Sequence, residues 1–180
     1  MIKIYRLFLL STFIFSAEIS SAAAADSENL FYAEYGQWDS AREGAFGVQI
    51  PGPFQFAPES RWVTFWDAEL GVWFTKKDSR NYVTSVEGAI GPMARYYFTE
   101  RRDFYFEGLV NLSLVAPRFW RDSEQQGSVP NFAGGFGFGY RFNDAHLSEI
   151  SLRAEHFSDG GFSEPNPGRN FFQLRYAMRF

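Results

Sequence analysis

Large apolar side chains alternate with polar or small ones along every extended stretch of this chain, and that period of two leaves few folds open. From Asn170 to Phe180, the residues Phe172, Leu174, Tyr176, Met178 and Phe180 fall on one face, while Gln173, Arg175 and Arg179 fall on the other. Successive side chains of a strand point to opposite faces, so the spacing predicts a β-strand here. The pattern recurs upstream, predicting strands at 30–38, 45–54, 63–74, 82–98, 104–114, 132–142 and 150–158, with the eighth at 170–180. Pro51-Gly52-Pro53 ends or bends the second strand, and Gly91-Pro92 predicts a bulge or bend in the fourth. The longest polar connection runs over 117–130.

Sorted by face, the polar sides collect Glu34, Asp67, Glu69, Glu87, Glu107 and Glu155 with Arg95, Arg141, Arg153, Arg175 and Arg179. Charges of both signs in near balance fit a closed interior of ion pairs. The other face of each strand is aromatic and aliphatic. A polar inside with an apolar outside suits a bilayer, where only a closed barrel satisfies every strand's backbone. Phe, Trp and Tyr make up 20% of the chain, with 22 Phe alone, more than a soluble core of this size needs. The predicted fold is therefore all-β, an eight-stranded antiparallel transmembrane β-barrel of outer-membrane type, its interior filled by side chains rather than open as a wide pore. A lipocalin-like barrel or a β-sandwich is the competing soluble arrangement.

The first residues predict an exported protein. Lys3 and Arg6 precede an apolar run at 7–15, and Ala23-Ala24-Ala25 offers a small-residue cleavage site. Residues 1–25 are expected to be a signal peptide and 26–180 the barrel. The apolar run is too short for a spanning helix. There is no Cys and only two His, so disulfides, thiolate metal sites and a zinc site are not expected, nor is any other metal or cofactor. A net charge of −4 argues against nucleic acid.

Stepping by twos along the seventh strand puts Ile150, Leu152, Ala154, His156 and Ser158 on one face, so a base and a hydroxyl end an apolar stripe. A serine is a poor nucleophile until a neighbouring base takes its proton, and residues i and i+2 of a strand point the same way, about 6.5–7 Å apart. On spacing alone, a polar pair in the interfacial belt is the simpler explanation.

The wider stretch resembles a known family. His156-Phe157-Ser158-Asp159-Gly160-Gly161, continued by Pro165-Asn166-Pro167-Gly168-Arg169-Asn170 and the aromatic last strand, is similar to the lipid A 3-O-deacylases. Upstream, 91–98 and 106–108 look like family positions. The resemblance implies an eight-stranded barrel in the Gram-negative outer membrane and an esterase on its outer surface. The substrate would be lipid A or lipopolysaccharide, no metal would be used, and a homodimer is left open. It implies His156 as general base, Ser158 as nucleophile, and Gly160 and Asn166 as active-site support. Two positions depart from the family. Asp159 stands where the family carries an asparagine that helps hold the oxyanion; in that place it predicts a slow enzyme accelerated by Asp159→Asn, whereas Asp159 as the acid that orients His156 predicts a slower Asp159→Asn variant. Asn170 stands where a triad glutamate is expected; by parity it shares the face of Phe172 and reaches His156 across the hairpin, with Glu164 in the loop as a substitute acid.

The other polar residues take plainer roles. His146 falls in a predicted turn. Lys76, Lys77, Arg80, Arg118 and Arg121 lie in predicted outward loops, as ordinary polar residues or as partners for lipid A phosphates. Trp62, Trp66, Trp73 and Trp120 are expected in girdles or packing. The departures at Asp159 and Asn170 leave a second functional class open, a non-catalytic small barrel serving as an anchor, adhesin or stress protein.

Overall fold

The computed structural model describes residues 29–180 except 53, 55, 122 and 143–147. The expected signal peptide and His146 lie outside the described residues. Ten strands follow one another as β1 (Leu30–Trp38), β2 (Ala41–Pro51), β3 (Trp62–Lys76), β4 (Tyr82–Tyr97), β5 (Phe104–Ala116), β6 (Trp120–Arg121), β7 (Glu124–Gln125), β8 (Pro130–Phe142), β9 (Ser148–Ser158) and β10 (Arg169–Arg179). Eight of them close into an antiparallel barrel in the order β1-β10-β9-β8-β5-β4-β3-β2, and β6 pairs with β7 as a small hairpin. Closure leaves no sheet edge with unpaired backbone groups, which a barrel in lipid requires.

The alternation read from the sequence is the alternation between lumen and exterior. In β10, Phe171, Gln173, Arg175 and Ala177 are buried inside, while Phe172, Leu174, Tyr176 and Met178 are exposed outside. The exterior carries an apolar surface of this kind on every barrel strand, in residues such as Phe46, Leu70, Val110, Phe138 and Leu152.

The lumen is layered. Towards the end nearer the first described residues, Leu30, Phe65, Met93 and Leu109 form an apolar cluster, and the Arg95↔Glu107 rung lies beyond the Met93↔Leu109 rung, nearer that end. An ion-pair layer lies within the barrel. Arg95 contacts Glu149 at 2.9 Å and Glu107 at 3.0 Å, Arg153 contacts Glu107 at 2.8 Å, and Arg175 contacts Glu34 at 3.0 Å. Removing one partner of so deeply buried a pair leaves an uncompensated charge and typically costs about 3–5 kcal/mol. Gln173 joins Glu43 (2.7 Å) to Glu155 (2.9 Å). The opposite end is closed by Ala41, Trp73, Val115, Phe119, Ala133, Phe157 and Phe171.

Several boundaries and roles differ from the sequence expectations. β2 begins at Ala41 rather than 45, which brings Glu43 into the lumen instead of a turn. Gly91-Pro92 adds no bulge. The rungs Ile90↔Leu112 and Met93↔Leu109 keep one register on either side of it, because losing the N–H of Pro92 interrupts a ladder without requiring an extra residue. Of the two roles expected for Trp73, girdle or packing, it takes the second, fully buried at the lumen cap against Phe119, Phe157 and Phe171. Arg179 is only half-buried. The connection over 117–129 is folded rather than open, since it carries β6 and β7 and drives Phe119 into the barrel mouth.

Candidate active site

β9 and β10 are joined by residues 159–168, at the same barrel end as the β6–β7 hairpin. Their register pairs His156 directly with Asn170. Both belong to the outward face, and directly opposed side chains start about 4.5–5.5 Å apart at Cβ. The pair closes that gap with His156 Nδ1 2.6 Å from Asn170 Oδ1. An amide oxygen only accepts, so Nδ1 carries the proton and donates, which leaves Nε2 with its lone pair as the basic nitrogen. The cross-strand reach expected from parity is thus what the structure shows. Ser158 follows two residues on, on the same face and half-buried, paired with Phe132 of β8.

The other flank of His156 is bare. Its partner in β8 is Gly134, where an added Cβ would meet nothing within 4 Å. The next rung sets Phe136, Ala154 and Phe172 side by side, a small residue between two rings. Trp38 packs on Phe172 with ring centroids 4.9 Å apart. Together these residues line an open trough of about 340 Å³ on the barrel's exterior, with His156 and Asn170 in its wall. Its floor is Gly134 and Ala154; its sides are aromatic. Such a surface accepts a hydrocarbon chain and offers it almost no polar partner.

Backbone conformation in the connecting loop is set by glycine at two places that bear on the site. Gly160 and Gly168 adopt φ of +70° and +61°. At Gly168 a Cβ would lie 3.0 Å from His156 Cε1, so the loop passes over the edge of the imidazole as only glycine allows.

Asp159 is placed differently from the sequence expectation. It is 2% exposed, and its carboxylate accepts from the Gly161 N–H (2.8 Å), from Ser128 Oγ (3.1 Å) and from Ser163 Oγ. Burial disfavours its charge, but the hydrogen bonds from Ser163, Gly161 and Ser128 outweigh that and hold the carboxyl below the usual carboxylate range. A side chain so engaged organises the loop and is not presented to an ester on the outer face. The parity of β9 explains this, because 155, 157 and 159 turn inward as 156 and 158 turn outward.

Asn166 belongs to the same assembly. Its Oδ1 accepts from Gln126 Nε2 at 2.9 Å and from the Asp159 N–H at 3.3 Å. The loop over 117–129 braces the 159–168 loop at further points. The Gly127 N–H donates to Pro165 O at 2.7 Å, Arg121 donates to Pro167 O at 2.9 Å, and Arg169 donates to Trp120 O. Of the loop cations, Lys77 lies 4.8 Å over the ring of Trp120, and Arg118 donates to Gly127 O. Arg118 and Arg121 therefore serve loop structure. Glu164 is exposed at the loop tip, while Asn170 holds the position beside His156. Sequence reasoning gave no role of their own at the site to Gly134, Ala154, Gly168 and Gln126. For the first two a signal existed, namely gaps in otherwise bulky outward stripes. For Gln126 there was none, since its partner lies 40 residues away.

The family described as lipid A 3-O-deacylase (PagL) matches residues 44–179. A lipid A deacylase PagL of Bordetella bronchiseptica is 34% identical over 89 residues, covering 49% of this chain and 47% of that protein. The match thus spans about half the length of that relative. Among solved structures, the crystal structure of the outer membrane enzyme PagL superposes with a TM-score of 0.69 at 19% identity, over 84% of this chain and 99% of that one, a likeness of fold.

Proposed function

The chain belongs to the lipid A 3-O-deacylase family, and from that premise we propose that it removes the 3-O-linked acyl chain of lipid A at the outer-membrane surface, with Ser158 as nucleophile and His156 as base. The observation that carries this is the His156–Asn170 pair in the wall of an apolar trough on the lipid-facing side of the barrel. A soluble hydrolase turns its site toward water. This one opens where acyl chains lie.

The chemistry follows from the groups present. His156 Nε2 takes the hydroxyl proton as Ser158 Oγ attacks the ester carbonyl carbon. The carbonyl oxygen becomes an oxyanion, then the C–O bond to the sugar breaks and the imidazolium returns the proton to the departing 3-hydroxyl. A water, activated by the same imidazole, releases the acyl group as a fatty acid and regenerates Ser158. Asn170 keeps the imidazole in the Nδ1–H form throughout. The oxyanion is met by the Asn166 NH2, whose amide oxygen is already committed to two donors, with backbone N–H support at Gly160. The acyl chain lies along Gly134 and Ala154 between Phe136 and Phe172. In this orientation the loops over 159–168 and 117–129 face out of the cell.

Detergent-folded protein tests the assignment. Ser158→Ala and His156→Ala should each abolish release of fatty acid from purified lipid A while the barrel stays heat-modifiable, and the double variant should be scarcely worse than either. Wild-type rates from folded Ser158→Ala would exclude the serine.

A further inference from the structure

Gln126 sits at the junction of the two loops, and its environment is unusual. It is fully buried, its own N–H donates to Phe119 O at 2.9 Å, and Phe119 is wedged fully buried against Trp73 in the lumen cap. Its Nε2 donates to Asn166 Oδ1 at 2.9 Å, whereas its Oε1 is buried with no hydrogen-bond partner among the described residues. A side chain kept only to hold two loops together would do as well without an orphaned acceptor, because an apolar group of the same shape avoids the desolvation of a buried polar atom. The single bond it does make is therefore the feature to explain.

That bond is one of two that set which way the Asn166 amide faces. The Asp159 N–H, 3.3 Å from the same atom, can only donate, so the atom it meets must be the amide oxygen. Gln126 supplies the shorter of the two donors. With both lone pairs of Oδ1 engaged, the NH2 lies on the opposite edge of a planar amide and has no other orientation that keeps its oxygen satisfied. We propose that Gln126 is a positioning residue for ester hydrolysis, which fixes the Asn166 amide so that its NH2 is presented to the oxyanion. It acts through a residue 40 positions away, from a loop anchored both to the lumen cap through Phe119 and to the active-site hairpin. This rests on the proposed deacylase chemistry, and the test separates the two.

Gln126→Met keeps the shape, removes the donor and removes the orphaned acceptor. It is expected to melt no lower than wild type in detergent, to leave KM for lipid A unchanged and to lower kcat about tenfold or more, a fraction of the roughly 10²–10³ that one oxyanion donor is worth. Gln126→Leu likewise cannot donate; it should lower kcat to the same extent and serves alone if the Met variant fails to fold. In an Asn166→Ala background, neither substitution should reduce kcat again. Wild-type kcat in either folded Gln126 variant, or an undiminished loss in the Asn166→Ala background, overturns the positioning role while leaving the deacylase intact. An inactive wild type, or full activity in Asn166→Ala, overturns it by removing the chemistry beneath it.

Discussion

His156 Nδ1 donates to Asn170 Oδ1 at 2.6 Å across one rung of the β9–β10 hairpin, so the imidazole is oriented by an amide instead of a carboxylate. The amide fixes the tautomer but supplies no negative charge for the imidazolium that the proposed mechanism forms. Asn170→Glu should therefore raise kcat, by about tenfold if the added charge contributes roughly 1.4 kcal/mol at this partly solvated position. Asn170→Ala removes the orientation and should lower kcat by about 10²-fold. Initial rates of fatty acid release distinguish these; a faster Ala variant would mean that Asn170 plays no part in holding the base.

Gly168 tests how tightly the imidazole is framed. Gly168→Ala places a Cβ 3.0 Å from His156 Cε1 and forces a side chain into a left-handed conformation at φ +61°, a strain of about 1–2 kcal/mol. The ring must give by a few tenths of an ångström. Stability should fall slightly and kcat by about tenfold, with KM little changed. Unaltered kcat in the folded variant would show that the ring tolerates displacement.

The trough predicts a change in chain-length preference. Ala154→Phe fills the floor between Phe136 and Phe172, one rung from His156, on a surface where another ring faces only lipid. The ratio of kcat/KM for a long-chain ester to that for a short-chain one should drop about tenfold, in line with the 1–3 kcal/mol that apolar pocket contacts contribute. An unchanged ratio would place the acyl chain elsewhere.

Asp159 gives a prediction opposite in sign to the one its position in the sequence suggests. Asp159→Asn replaces one acceptor oxygen by a donor facing Ser128, Ser163 or the Gly161 N–H. The 159–168 loop should loosen, seen as faster proteolysis within it, and the rate should fall several-fold rather than rise. The pH dependence has a definite sign. A carboxyl held below its unfolded value of about 3.9 stabilises the loop fully above that value, and the contribution is lost as pH falls through the lower folded value. Loop protection should be constant from pH 8 to 5 and disappear only in strong acid. A faster Asp159→Asn variant would restore an oxyanion role for this position.

The sequence made the strands and their two faces legible because alternation is a local property, repeated along each strand. It also made the His156–Asn170 contact legible, since parity within one hairpin requires no knowledge of the rest. What it hid was non-local. That 117–129 folds as a hairpin, with Phe119 as a plug, depends on Trp73, Phe157 and Phe171 meeting at one barrel end. The destination of Asp159 depends on Ser128, 31 residues away. Glu43 was hidden for a simpler reason: a charged residue beside a two-residue turn looks like part of the turn until the register Glu43↔Trp73 carries β2 past it.

The proposed hydrolysis of the 3-O-acyl ester of lipid A from the lipid-facing side of the barrel is open to direct measurement. Its most direct test is the mass spectrum of lipid A from Gram-negative cells producing the folded wild-type barrel, beside cells producing Ser158→Ala at equal level. Loss of one 3-hydroxyacyl mass is expected with the wild type and none with the variant. Identical spectra from the two, with both barrels folded in the outer membrane, would contradict it.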